Sequence, residues 1–143
     1  MPLHCEIVSP ERLVFAGEVD MVIAPGTEGV LGILPHHAPL LTTLTAGELR
    51  LRQQGTEIIL AVFGGVLQVS PEGVIVLADT VERAEEIDID RARAARQQAE
   101  ASLRSAPPGS EAARHAENSL RRSQLRLNVS QRYRRGSNRP AVD

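Results

Sequence analysis

The sequence predicts an α+β fold in which an N-terminal antiparallel β-sandwich of about ten short strands precedes a C-terminal antiparallel α-helical hairpin. Residues 1–86 contain short apolar runs separated by Gly and Pro, as in sandwiches of short strands. Residues 87–129 are rich in Ala, Arg, Gln and Glu, which favour helix. We therefore expect a sandwich domain over 1–86, a helical hairpin over 87–129, and a disordered basic tail over 130–143.

The charge of the chain changes sign close to the same boundary. Residues 1–90 contain 4 Arg and 14 acidic residues, whereas residues 91–143 contain 12 Arg and 4 acidic residues. An acidic domain followed by a basic arm suggests binding partners more than catalysis. The sequence also has no Lys, which excludes a P-loop lysine, a Schiff-base lysine and a pyridoxal phosphate anchor.

The core of the sandwich must be built from Val, Ile and Leu, because the chain has no Trp and only three other aromatic residues. Cys5 is the single cysteine and cannot form an internal disulfide. With no signal peptide and no apolar run near the length of a membrane span, these features predict a reduced, soluble compartment.

The predicted strands share runs of apolar or alternating residues bounded by turn signals. They cover residues 3–8, 13–16, 18–24, 40–44, 48–53, 57–62, 66–70 and 74–78, and the Gly- and Pro-rich segment 25–39 leaves room only for short, kinked strands. Hairpin turns are expected at 54–56 and 71–73. The segment Phe63-Gly64-Gly65 permits a bulge or a close approach of two backbones.

Two helices follow, and their boundaries are marked by capping residues. Asp88 or Asp90 can cap a first helix that runs to about Ser105. The segment 106–109 contains two Pro and a Gly, and Ser110 can cap a second helix that ends near Val129. The shared face is mostly alanine, which buries little area, so the hairpin is expected to be weakly held. Its members are Ala92, Ala95, Ala99, Leu103, Ala113, Ala116 and Leu120.

No catalytic or metal-binding constellation is predicted. His36 and His37 are adjacent, so their side chains point apart in extended chain, and no cluster with ligand spacing accompanies them. The Ser and Thr residues lack a nucleophile elbow. The acidic residues between 85 and 90 lack the glycine and spacing of a calcium loop, and they fit better as the start of a helix.

The arginine-rich C-terminal part leaves one alternative, a stand-alone nucleic-acid-binding module. Its arginines could neutralise several phosphates. However, Tyr133 is the only aromatic residue among them and the first domain is acidic, so a partner other than nucleic acid is expected. Arg122 and Arg126 lie four residues apart on one helix face, and with Asp88 and Arg91 they could hold a small anion.

Three motif groups, in order, resemble the epsilon subunit of bacterial F-type ATP synthases. They are Pro25-Gly26-x-x-Gly29-x-x-Gly32-Ile33-x-Pro35-x-His37-Ala38-Pro39-Leu40, then Gly64-Gly65-x-x-x-Val69, then Val76-Leu77-Ala78-Asp79-Thr80 with Glu82-Arg83-Ala84-Glu85 and Ile87-Asp88. The resemblance runs from about Glu6 to Val129. It implies a non-catalytic rotor subunit that binds the gamma subunit and the c-subunit ring, and that acts on the alpha and beta subunits. It also implies peripheral attachment, through the complex, to the cytoplasmic side of the bacterial cell membrane.

The resemblance further implies roles for individual residues. Glu28, Val30 and His37 fall in the loop region that faces the rotor ring. The hairpin is expected to inhibit ATP hydrolysis when extended and to release this inhibition when folded against the sandwich. No cofactor is required, but some relatives bind ATP in the folded hairpin through a motif that Ile87-Asp88-x-x-Arg91-Ala92 matches. The nucleotide-binding residues carried over are Glu82, Asp88, Arg91, Arg122 and Arg126. Gln68 and Gln98 depart from the family pattern, Gln98 at a position where nucleotide-binding relatives have arginine.

Overall fold

The computed structural model describes residues 2–137 and contains eight strands, one turn of 3-10 helix and two long helices within them. The strands are β1 (Leu3–Val8), β2 (Leu13–Val19), β3 (Met21–Gly26), β4 (Gly29–Ile33), β5 (Leu40–Gln53), β6 (Thr56–Ser70), β7 (Gly73–Ala78) and β8 (Val81–Arg83). The 3-10 turn covers Ala84–Glu86, and the helices are α1 (Ile89–Ser105) and α2 (Glu111–Ser137). The α+β class is confirmed, with the strands first and the helices after them.

The described strands number eight instead of about ten because two of them are unusually long. β5 has 14 residues and β6 has 15, and each spans two segments that the sequence predicts as separate strands. Pairing continues through the middle of both strands, where Leu44 lies opposite Gly65 and Ala46 lies opposite Phe63. Local turn signals divide these segments, but the ladder between the two strands keeps them continuous.

The strands form one hydrogen-bonded sheet in the order β2-β1-β7-β6-β5-β3-β4, with β8 also pairing with β6. β1 and β7 are parallel, and every other pair is antiparallel. The sheet folds back on itself, because β2 contacts β5 although the two are far apart in strand order. One apolar core of Val, Ile and Leu lies between the two layers, and it includes the fully buried Ile7, Leu49 and Leu67.

Glycine permits the bend of β6. Gly64 and Gly65 have φ values of 88° and 137°, which side chains other than glycine rarely adopt. A Cβ on Gly65 would also meet the carbonyl of Leu77 on the neighbouring strand. The predicted close approach of two backbones at Phe63-Gly64-Gly65 is therefore confirmed, and it lets β6 pair with β8 before the bend and with β7 after it.

The helix caps follow the sequence prediction. The Asp88 side chain accepts a hydrogen bond of 3.0 Å from the Arg91 backbone N–H at the start of α1. The Ser110 hydroxyl accepts one of 3.1 Å from the Ala113 N–H at the start of α2. Each cap satisfies a backbone donor that has no partner inside its helix. On the face shared by the helices, Ala92, Ala99, Ala113 and Ala116 are buried, as expected.

The prediction of a disordered tail from residue 130 is wrong for residues 130–137, which form the last turns of α2. Val129, just before this segment, and Ser130, its first residue, are buried. Arg132 forms an ion pair with Glu48 of β5. Tertiary packing of this kind supplies most helix stability in proteins, and local sequence gives no sign of it. Residues 138–143 lie outside the described part of the chain.

In residues 2–137, neither helix has the length and apolar character needed to cross a membrane.

Candidate functional site

The hairpin lies against the sandwich through a small apolar contact. Val129 of α2 is fully buried beside Ile59 and Ala61 of β6 and Ala84 of the 3-10 turn. Phe63, Ile87 and Leu125 pack around this group and are partly buried. The contact is separate from the sandwich core and contains few large side chains. It is therefore the place where the two parts of the chain can come apart at least cost in buried area.

An ion pair borders the apolar contact. Arg126 of α2 donates two hydrogen bonds to the carboxylate of Glu82 on β8, Nε to Oε2 at 2.8 Å and Nη2 to Oε1 at 3.1 Å. The Arg126 guanidinium carbon also lies 4.9 Å from the centre of the Phe63 ring, within the range of a cation–π interaction. The side chains of Glu82 and Arg126 are both about 30% exposed. This paired geometry is the strong form of an arginine–carboxylate contact.

A second ion pair holds the end of α2. Arg132 Nε lies 2.8 Å from Oε1 of Glu48 on β5, and Arg50 Nε lies 3.3 Å from the same carboxylate oxygen. Arg132 is 54% exposed, so water and salt weaken this pair. Neither Glu48 nor Arg132 is predicted as a contact residue from the sequence, because the pairing joins residues 84 positions apart and Arg132 lies in the predicted tail.

The structure brings together only part of the predicted nucleotide-binding set. Glu82 and Arg126 are in direct contact, and Asp88 is linked to Arg91 through the backbone N–H at the helix cap. The side chains of Arg91 and Arg122 are exposed, and neither forms an ion pair with any acid of residues 2–137. In this arrangement Glu82 neutralises Arg126, so two cations of the set remain open to an anion.

The predicted rotor-facing residues are all exposed. Glu28 lies in the turn between β3 and β4, Val30 lies on β4 opposite Pro25, and His37 lies in the connection from β4 to β5. The His37 ring is held by a contact of 2.7 Å between Nδ1 and the Ala38 carbonyl oxygen.

Exposed apolar side chains occur in the same part of the sandwich. Val30, Leu34 and Leu41 have 75%, 55% and 70% of their surface exposed. Large exposed apolar patches mark sites that contact another protein, and these three side chains are candidates for such a site. Of these three, only Val30 is among the residues predicted from the sequence to face the rotor ring; Leu34 and Leu41, which flank the Pro- and His-containing motif, are not.

Both parts of the chain match known protein families. Residues 2–84 match the model of the ATP synthase delta/epsilon chain beta-sandwich domain, and residues 85–131 match that of the delta/epsilon chain long alpha-helix domain. The boundary between the two matches lies between Ala84 and Glu85, within the 3-10 turn.

Relatives at high identity span nearly the whole chain. It is 51% identical over 133 residues to an ATP synthase epsilon chain from Dehalococcoides mccartyi, covering 93% of this chain and 95% of the relative. It is also 51% identical over 129 residues to an ATP synthase epsilon chain from Moorella thermoacetica, covering 90% and 96%.

Solved structures share the fold at low identity. A chain of the Euglena gracilis mitochondrial ATP synthase has a TM-score of 0.68 at 18% identity, covering 96% of this chain and 82% of that one. A chain of the Tetrahymena thermophila mitochondrial ATP synthase central stalk and c-ring has a TM-score of 0.54 at 15% identity, covering 91% and 94%. The family matches and the close relatives agree over both domains, and we conclude that this chain belongs to the ATP synthase delta/epsilon chain family.

Proposed function

We propose that the chain is a non-catalytic central-stalk subunit of a proton-translocating F-type ATP synthase, and that its hairpin regulates ATP hydrolysis. The proposal rests on family membership and on the way α2 lies against the sandwich through a small, partly charged contact. The exposed apolar side chains Val30, Leu34 and Leu41, with Glu28 and His37, supply the surface that meets the rotor ring. The partners are the gamma subunit and the c-ring, with the alpha and beta subunits as the targets of the hairpin.

The same assignment gives the location. A member of this family works as part of a membrane-associated complex, and we place this one on the cytoplasmic side of a bacterial cell membrane, attached through its partners. A stand-alone nucleic-acid-binding module is disfavoured, since family membership covers the arginine-rich helix and two of its arginines already pair with acids of the sandwich.

The hairpin acts as a switch with two positions in this proposal. The folded position has one fully buried anchor, Val129, whose burial is worth about 1.5–3 kcal/mol. Each partly exposed ion pair adds at most about 1 kcal/mol. The folded position is therefore separated from an open one by a few kcal/mol, a range in which partners or ligands shift the population.

ATP hydrolysis by the reconstituted complex tests the regulatory role. We expect a chain ending at residue 87 to give faster hydrolysis than the full chain at low proton-motive force, because the inhibitory hairpin is missing. We expect Val129→Ala in the full chain to give slower hydrolysis, because the hairpin opens more readily. Arg104→Ala is the matched control, since Arg104 is exposed near the far end of α1. Equal rates for the full and shortened chains would overturn the inhibitory role.

We further propose that ATP is a regulatory ligand of the folded hairpin. Arg91 and Arg122 offer two exposed guanidinium groups for the phosphates, and Arg126 can join them only by giving up Glu82. Asp88 is already committed to the helix cap, so its remaining oxygen is available to the ribose or base. Gln98 removes one cation that nucleotide-binding relatives have, which predicts weak affinity.

Calorimetric titration of the isolated chain with ATP tests the ligand. We expect Arg91→Ala and Arg122→Ala to weaken binding roughly tenfold or more, because each removes a charge-assisted hydrogen bond. Arg104→Ala again serves as the control. Absence of saturable heat at millimolar ATP would remove ATP sensing while leaving the stalk assignment intact.

A further inference from the structure

A small cavity lies between the start of α1 and the end of α2. Its volume is about 170 Å³, and it is lined by Ile89, Arg93, Arg96, Leu127, Ser130, Gln131 and Arg134. None of the five residues predicted to bind a nucleotide is in this lining. Arg93 is exposed, whereas Ala92 beside it is buried against α2. The cavity is therefore a second feature of the hairpin, and it does not depend on the proposed stalk role.

Positive charge dominates this cavity. Arg93 and Arg96 reach it from α1, and Arg134 reaches it from α2. Arg93 has no ion-pair partner among residues 2–137, and the nearest acid to Arg96 is Glu100, at the long distance of 3.9 Å. No acidic residue of the described chain lines the cavity, and Arg93 and Arg96 bring two positive charges to it, which repel each other unless an anion lies between them. The lining thus has the charge of an anion site.

The hydroxyl of Ser130 supplies a second, independent observation. Ser130 is 4% exposed, and its Oγ is the one buried side-chain polar atom within residues 2–137 that has no hydrogen-bond partner. Buried hydroxyls nearly always have a partner. A serine in this position could also have turned to a carbonyl of its own helix, as Ser123 does to Leu120 at 3.0 Å. An unpartnered donor beside the cavity indicates an acceptor that belongs there.

The dimensions limit the kind of anion. Sites for drug-sized ligands have volumes of about 300–1,000 Å³, so a cavity of about 170 Å³ is too small for a whole nucleotide. A tetrahedral oxyanion fits this size, and it accepts paired hydrogen bonds from arginine and a further one from a hydroxyl. We propose that this cavity binds a phosphate group, either as inorganic phosphate or as the terminal phosphate of a larger molecule.

Binding here would join the two ends of the hairpin. Arg93 and Arg96 belong to α1, and Ser130 and Arg134 belong to α2, so a phosphate among them links the start of one helix to the end of the other. Because the cavity exists only when the helices are together, bound phosphate would stabilise the closed hairpin, and the stabilisation would grow with the logarithm of the phosphate concentration once that exceeds the dissociation constant.

Titration of the full chain with inorganic phosphate, in a buffer free of other oxyanions, tests the proposal. We expect saturable binding at millimolar concentrations, followed by calorimetry or by NMR shifts of the Ser130 and Gln131 amides. Arg93→Gln should weaken binding roughly tenfold or more, because it removes a charge-assisted contact. Arg104→Gln, with the same change on the same helix but away from the cavity, should leave binding unchanged.

Ser130→Ala gives a second readout that a purely structural role would not produce. Without phosphate, the variant should melt at a higher temperature than the unmodified chain, because a buried hydroxyl without a partner has been removed. With phosphate, its midpoint should rise less than that of the unmodified chain, because a donor to the anion is missing. A higher midpoint with an unchanged phosphate response would count against the site.

Two further arms distinguish the source of the phosphate and the place where it binds. Competition by ATP or ADP that persists in a variant carrying both Arg91→Ala and Arg122→Ala identifies the terminal phosphate of a nucleotide as the ligand. Lack of such competition identifies the free ion. Absence of saturable phosphate binding, or binding that Arg91→Ala weakens and Arg93→Gln does not, would overturn the proposal.

Discussion

Glu82 and Arg126 form a doubly hydrogen-bonded contact between the sandwich and the hairpin. Both were selected from the sequence as nucleotide-binding residues by resemblance, and the structure pairs them with each other at 2.8 Å and 3.1 Å. Both can be predicted because the family resemblance, which runs from about Glu6 to Val129, covers both positions. Their mutual contact could not be predicted, because it joins residues 44 positions apart and depends on how α2 lies against β8.

The pair has a measurable coupling. We expect Glu82→Gln and Arg126→Gln each to destabilise the docked hairpin, and the double variant to be less affected than the sum of the two. A coupling of about 1 kcal/mol is expected for a partly exposed pair of this geometry. Hydrogen exchange of the Val129 amide measures the opening in all four proteins. Strictly additive effects would show that the two side chains do not stabilise each other.

Cys5 differs from the exposed residues of the site because it is fully buried in the sandwich core. Burial, assisted by the nearby negative charge of Glu6, raises the pKa of the Cys5 thiol to about 12. The thiolate is the reactive form of cysteine, so we expect Cys5 in the folded chain to resist alkylation at pH 8 and to react once the chain is unfolded. Rapid alkylation under native conditions would contradict the burial.

The same shift predicts how stability depends on pH. Above about pH 9 the unfolded chain loses the thiol proton while the folded chain keeps it, so folding stability from this group falls as pH rises, by up to about 1.4 kcal/mol per pH unit. Below pH 9 both states keep the proton and the group adds no slope. Urea unfolding at pH 8 and pH 10 measures the effect, and Cys5→Ala should show a smaller fall than the unmodified chain.

At the scale of the elements, the features that depend only on neighbouring residues can be predicted from local sequence. The caps at Asp88 and Ser110 follow from residues within three positions of each helix start. The continuity of β5 and β6 and the length of α2 depend on pairing and packing with distant segments, so the sequence alone predicted too many strands and too short a helix. The cavity beside Ser130 was missed for the same reason.

The effect of packing against distant segments is easiest to test at the end of α2. We expect a chain ending at residue 129 to keep both helices but to dock less tightly, because it loses the ion pair between Arg132 and Glu48. Arg132→Ala in the full chain should reproduce part of this loss, and Arg135→Ala should not. Hydrogen exchange of the Leu125 amide reports the docking, because Leu125 packs at the contact between α2 and the sandwich. Equal protection in all four proteins would show that residues 130–137 do not hold the hairpin.

At the scale of the whole molecule, the acidic sandwich holds the basic hairpin. The sandwich core contains no residue of either helix, so the sandwich should fold by itself when the chain ends at residue 87. The Glu82–Arg126 and Glu48–Arg132 ion pairs, which join the two parts within residues 2–137, are partly exposed, which makes them sensitive to salt. The charge asymmetry of the sequence is thus used inside the molecule as well as toward partners.

Salt should therefore open the hairpin. We expect exchange of the Val129 amide to become faster as salt is raised from low to near-molar concentration, while amides of the sandwich core keep their protection. The variant carrying both Glu82→Gln and Arg132→Gln should open readily at low salt and respond little to added salt. A response equal to that of the unmodified chain would show that other charges control the docking.

The two long strands also bear on how the subunit responds to force. β5 and β6 cross the bend without interruption, so each belongs to both layers of the sandwich. Sliding one layer over the other would require breaking ladder hydrogen bonds of the same pair of strands at many positions at once, whereas separate strands joined by loops would let the layers shear. The sandwich should therefore behave as a stiff elastic body, and a torque applied to one face should reach the opposite face with little internal deformation.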